Sequence, residues 1–176
     1  MTVFGRPGRS TFQVWLLRFR MKIRDFKPTD AAILAEIFHD AVHAIGSKDY
    51  TQAQTNAWSP APVSAKKFLD RISDTHTVFV AVDDNDMPLG FIELESNGHI
   101  DCFYCHPRFS GTGVGRALYV HLEKAALNAG LMHLYTEASE AALRFFLKVG
   151  FTLIRRRDFT HNGVAIHNYL MEKSLH

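Results

Sequence analysis

Three glycines at alternate positions, Gly111, Gly113 and Gly115, constrain this chain more than any other feature. Before them lies an apolar run, Ile100, Cys102, Phe103, Tyr104 and Cys105, that suits a buried strand stopped by Pro107. After them Val114, Leu118, Leu122 and Ala125 recur at helical spacing until Gly130. The turn into this helix therefore lacks every second side chain, and its backbone N–H groups can approach a ligand closely. Unpaired first-turn amides, the helix dipole and Arg116 favour an anion, for which phosphate or pyrophosphate is the natural guest.

Two other glycine-loop readings fit less well. A P-loop needs Lys and then Ser or Thr after its last glycine, whereas Arg116 and Ala117 follow Gly115. The dinucleotide fingerprint G-x-G-x-x-G fails at its sixth position, which is Arg116 counted from Gly111 and Leu118 counted from Gly113. Glu137 nevertheless ends the next strand about where a ribose-binding acid would lie, so a dinucleotide-binding enzyme stays as a remote alternative.

With 47% hydrophobic and 22% charged residues over 176 positions, the composition suits one globular domain with a sizeable core. No apolar run approaches a membrane span, so no membrane partner is expected. The net charge of +2 includes four arginines and no acid in the first 20 residues; without them, 16 basic residues face 18 acidic ones, and a nucleic-acid groove is not indicated. Residues 1–20 read as an N-terminal extension, either a transit-like segment or the product of an upstream start codon, ahead of a domain over 21–176. Cys102 and Cys105 point to opposite faces of their strand, so neither a disulfide nor a shared metal is expected, and two thiols without a framework suit a reducing cytosol. The histidines suggest no zinc site, and no metal is expected.

Taken in order, residues 22–26 read as a strand, and Thr29 or Asp30 caps a helix with Ile33, Ile37, Ala41 and Ile45 on its apolar face. Residues 47–62 are polar and punctuated, with Tyr50 and Trp58 as their large side chains. A second helix begins near Ser64, strands cover 77–83 and 89–95, and S-N-G at 96–98 turns into the central strand. Beyond the central helix come a strand over 131–137, a helix capped by Ser139, and two strands meeting at H-N-G.

The segment H-P-R-F-S-G-T-G-V-G-R-A-L resembles the acyl-CoA signature of the GNAT superfamily of N-acyltransferases, (Q/R)-x-x-G-x-(G/A) after a strand ending near a proline. Aligning the proline and all three glycines puts Ser110 at the Gln/Arg position; a second register opens at Arg108. Residues 137–151 resemble a further motif of that family, N-x-x-A-x-x-x-Y-x-K-x-G-F, with Ser139 for the Asn, Ala142 and Lys148 retained, and Phe146 for the Tyr. The resemblance covers most of 21–173 and implies an α/β fold with a curved mixed sheet of about seven strands, helices on both faces and splayed central strands. It also implies acetyl-CoA as co-substrate, lying along Phe103, Tyr104 and Cys105, with contacts from Ser110, Gly111, Thr112, Gly113, Val114, Gly115, Arg116, Ser139, Phe146 and Lys148.

Acetyl transfer to an amine of pKa about 10.4 needs that amine neutral, which costs roughly 4–5 kcal/mol at pH 7, so a base is useful. Strict alternation places His99 and Asp101 on one face with Phe103 and Cys105, and Asp101 and His99 rank ahead of Glu93 and Glu95 as that base. In some relatives the strand position of His99 carries a glutamate base. The family tyrosine commonly reprotonates the CoA thiolate; with Phe146 there, Tyr169 or Tyr135 is the candidate. Tyr50 and Trp58 lie where relatives close over the acceptor, and His43 lies on the polar side of the first helix. The reading is direct transfer in a ternary complex to a small-molecule or peptide amine by a monomer or homodimer. The alternatives are a CoA-sensing module without turnover and, as a minor route, a ping-pong cysteine.

Overall fold

The computed structural model describes residues 20–72 and 76–175; the reading of 1–20 as an extension falls almost wholly outside them. Seven strands and five helices run in the order β1 (Lys22–Asp25), α1 (Ala31–Ala44), α2 (Gln52–Trp58), α3 (Ala65–Arg71), β2 (His76–Val82), β3 (Pro88–Glu95), β4 (Ile100–Cys105), α4 (Val114–Asn128), β5 (His133–Ala138), α5 (Glu140–Lys148), β6 (Thr152–His161) and β7 (Val164–Ser174). Strands β1 to β4 form an antiparallel meander, and β5, β7 and β6 form a second antiparallel sheet with β7 in the middle.

The two half-sheets meet at one place. His99 bridges Tyr135 in parallel, the Tyr135 N–H donates to Gly98 O at 3.1 Å, and Thr136 Oγ1 donates to Ile100 O at 2.9 Å. Beyond that junction β4 and β5 share no ladder, so a parallel pair that begins together then splays. Gly98 makes the junction possible: at φ +91°, a Cβ there would stand 2.2 Å from His133 O.

Each face of the sheet carries its own core. Helices α4 and α5 pack Leu118, Leu122 and Phe146 against Ile92, Leu94, Ile100 and Met171. Helices α1 and α3 pack Leu34, Ile37 and Phe68 against Val78, Val80 and Phe91 on the other face. Cys102 joins the second core and Cys105 the first, as their odd spacing requires, and both thiols are free.

Two sequence expectations change. Residues 47–62, read as irregular, contain α2, whose N-cap Thr51 accepts from Gln54 N while Gln54 Oε1 accepts from Thr51 N, a capping box. Alternation along β4 is also broken: the register passes from Ile92 opposite Phe103 to Leu94 opposite Ile100, so Asp101 and Cys102 together oppose Glu93. That β-bulge turns Asp101 away from the face of Phe103 and Cys105 towards α3.

Candidate active site

A cavity of about 460 Å³ opens between the diverging strands and is lined by both of them. Phe103, Tyr104 and Cys105 line it from β4, Ala138 and Ser139 from the end of β5, and Ala142, Phe146 and Lys148 from α5. At one mouth stand Ser110, Gly111, Gly113, Gly115 and Arg116. No side chain caps α4, whose N-cap Gly113 sits at φ +99°, and a Cβ on Gly111 or Gly113 would meet nothing within 4 Å. The first helical bond runs from Ala117 N to Gly113 O, so the preceding amides are available to an outside anion. This open, amide-lined cradle fits the pyrophosphate of coenzyme A, and the unladdered edge of β4 fits the strand-like pantetheine arm. Thr112 and Val114 do not line the cavity: the Thr112 hydroxyl donates to Phe109 O and Val114 is fully buried in the α4 core.

Charged groups gather where the strands part. Arg71 of α3 is shared between two carboxylates, donating to Glu93 at 2.5 and 2.8 Å and to Asp101 Oδ2 at 2.9 Å. Glu93 is fully buried and does not reach the cavity, whereas Asp101 is exposed to it. His99, off the cavity wall, lies between Glu95 (3.0 Å from Nδ1) and Glu137 (2.6 Å from Nε2), with its ring stacked on Tyr135. Burial pulls the His99 pKa down, but the two carboxylates outweigh it and the net direction is upward. Its nitrogens are thus engaged, and the carboxylate that lines the cavity beside Asp101 is Glu137, whose other oxygen is 2.8 Å from Arg157.

The far end is built by α2, the start of α5 and the β6–β7 hairpin. Gln54 donates to Ala165 O, Asn162 donates to Ala57 O, and Trp58 packs on Phe159 and His161. Tyr50 and Trp58 line the cavity there together with His167. The Tyr50 hydroxyl donates to His167 O and accepts from Glu140 N, both at 3.1 Å. Glu140 Oε1 accepts from His167 Nε2 at 2.8 Å and from the Tyr169 hydroxyl at 2.7 Å, and these hydrogen bonds, Tyr169's first, lower the Glu140 pKa. Tyr169 itself does not line the cavity. Sequence reasoning missed His167 and gave Glu137 only a ribose-binding role; nothing in V-A-I-H-N-Y marks the histidine, because its partner Glu140 lies on another element.

Two smaller points bear on the chemistry. Burial pushes the Cys105 thiol up to about 12 and the Cys102 thiol well above its ordinary value, which leaves neither as a thiolate nucleophile at neutral pH. One H-x-x-x-H pair, His39 and His43, does exist on α1, but Ser59 takes His39 Nδ1 with its hydroxyl and His43 Nε2 with its carbonyl, each at 2.8 Å. No helix of the described residues is long and apolar enough to cross a membrane.

A seven-stranded split sheet with an amide-lined cradle at the opening of the split is the frame of this site. A profile of the acetyltransferase (GNAT) domain family matches residues 47–173. The chain belongs to the GNAT superfamily, and it is an acyltransferase of the N-acetyltransferase kind. A solved GCN5-related N-acetyltransferase, titled an aminotransferase of class II, from Rhodopseudomonas palustris is 35% identical, with TM-score 0.80, over 88% of this chain and 95% of that one. The uncharacterized N-acetyltransferase YafP of Escherichia coli K12 is 28% identical over 86% of this chain and 94% of its own length. The peptidyl-lysine N-acetyltransferase YjaB of the same organism is 37% identical over 49% of this chain and 56% of its own. Structures of the same fold, at most 20% identical, were solved with coenzyme A or acetyl-CoA.

Proposed function

We propose that this chain transfers acetyl from acetyl-CoA to a primary amine, directly and in a ternary complex, and that a lysine side chain is the acceptor class. The observation that carries the reading is the continuous cavity: an amide cradle at one end, an unladdered strand edge along its wall, and carboxylates with aromatic rings at the other. Acetyl-CoA supplies the activated thioester. An amide on the gap-facing edge of β4, within 103–105, polarises its carbonyl as an oxyanion-hole donor. Asp101 draws the ammonium in, because Arg71 serves Glu93 and Asp101 at once and leaves that pair short of one positive charge, and Glu137 adds a second carboxylate on the cavity wall. Asp101 receives the first proton through water, while Tyr50 and Trp58 enclose the alkyl chain. Glu93, fixed by Arg71, and His99, held between two glutamates, support this corner rather than face the amine. The peptidyl-lysine activity in the name of YjaB favours a lysine acceptor, and free thiols favour a reducing compartment such as the cytosol.

Thermal shift with acetyl-CoA, CoA, NAD and ATP tests the reading. At 100 times its dissociation constant a ligand adds about 2.7 kcal/mol, several degrees for this size. Acetyl-CoA and CoA are expected to stabilise, and Asp101→Asn is expected to lower kcat/KM on a lysine peptide about 100-fold without altering that shift, the low end for acid–base groups. Stabilisation by NAD alone would sink the proposal.

A further inference from the structure

A protonated amine must lose two protons to become an amide; one leaves to solvent, and the departing thiolate needs the other. The first has Asp101. For the second, the cavity offers few groups. Asp101 is tied to Arg71, and Glu137 to Arg157 and His99. The Cys105 thiol is pushed up by burial, as are the phenols of Tyr50 and Tyr104. His167 differs from all of these. It lines the cavity, Glu140 takes its Nε2, and among the described residues its Nδ1 has no hydrogen-bond partner. The ring is 15% exposed, its backbone carbonyl is pinned by Tyr50, and Tyr169 braces Glu140 on the same oxygen. With Nε2 held on the Glu140 carboxylate, Nδ1 is the ring nitrogen left open.

We propose that His167 carries the second proton, with Glu140 as its positioning residue; this rests on the acetyl transfer proposed above. The neutral amine attacks the thioester carbon and forms the new C–N bond. His167 Nδ1 takes a proton from the resulting ammonium nitrogen. The C–S bond then breaks, and the imidazolium returns that proton to sulfur, giving amide and free CoA thiol with no other reactant. The groups facing the ring are Glu140 from α5, Tyr50 from the α1–α2 connection and Tyr169 on its own strand. Asp158, opposite it on β6, is held by Arg156, and Asp49 near Glu140 is held by Arg144. Glu140 is therefore the anion that sets its behaviour.

The test uses the full chain, acetyl-CoA and an Nα-acetyl-lysine amide as acceptor. Glutamine at 167 keeps a donor for Glu140 and removes the exchangeable nitrogen. His167→Gln is expected to lower kcat about 100-fold, to leave KM for acetyl-CoA within about threefold, and to erase the ascending limb of the kcat–pH profile. Glu140→Gln, which leaves a neutral partner, is expected to move that limb to lower pH, a change that a purely structural role would not produce. Nitrogen-15 NMR of the histidines adds a readout that needs no acceptor: His167 carries its proton on Nε2, and Nδ1 responds when acetyl-CoA binds. An unchanged kcat in His167→Gln, or a proton on Nδ1 in the neutral ring, overturns the proposal. Failure of acetyl-CoA to stabilise the wild-type chain would instead remove the acetyl-transfer reading beneath it.

Discussion

His99 shows how far a residue can be read from its neighbours in sequence. Its alternation with Asp101 and Phe103 on one strand face, and the glutamate base that some relatives carry at its position, suggested a base; neither revealed that Glu95 from the preceding strand and Glu137 from β5 would close on both its nitrogens. A histidine so held acts as a cationic clasp between the half-sheets, and the sign of its pH dependence follows. Burial lowers its pKa and the two hydrogen bonds raise it, with the net upward, so the folded value lies above the unfolded value of about 6.5. Its stabilisation is fully present below about pH 6.5 and is lost as pH rises through the folded value. We expect the Tm of the wild-type chain to fall more steeply over that rise than the Tm of His99→Gln, measured at fixed ionic strength; parallel curves would remove the clasp. Asp101 carries the opposite lesson: it stood out as an odd acid in an apolar run, but its direction was not readable, because a bulge breaks the alternation on which that direction depended.

Helices and strands with strong periodicity were legible, and α2, to which we assign acceptor contacts, was not. Helix α2 has seven residues and only Ala53, Ala57 and Trp58 as apolar positions, so no helical stripe appears in Q-A-Q-T-N-A-W. So short a helix is marginal alone and is held by its capping box and by the β6–β7 hairpin. Thr51→Ala removes the N-cap and should cost about 1 kcal/mol, or roughly 2–4 °C in Tm for a chain of this size. Because α2 places Trp58, and Tyr50 directly precedes its cap, the same change should raise KM for a lysine peptide while KM for acetyl-CoA stays put. Steady-state kinetics on both substrates would check it, and equal increases in the two values would argue that α2 does not serve the acceptor side.

At the scale of the whole molecule, the glycine turn and the K-V-G-F ending carried the family resemblance and with it the fold, since each is local in sequence. Tyr50, Trp58 and Asp101 could be named one by one from the sequence, but not their meeting with Glu137 and His167, because these residues come from four separated segments that the fold brings to one cavity. That split is also a mechanical feature. The bridge with its backbone hydrogen bond, the Thr136 hydroxyl and the His99–Glu137 hydrogen bond tie the two sheets at this junction, so the edge of β4 past Ile100 lacks the strand partner that covers its other side. Gap-facing amides of this kind exchange with solvent unless a ligand replaces the missing strand. Hydrogen exchange should therefore slow within 103–105 and 111–116 when CoA is added, and β1 and β2, already laddered and remote from the gap, should change little. Protection that appeared at 111–116 alone would mean that pyrophosphate binds while the arm stays out of the gap. Protection at both places requires that the ligand itself joins the two half-sheets, and the stabilisation seen in a thermal shift would then arise where the protein's own ladder stops.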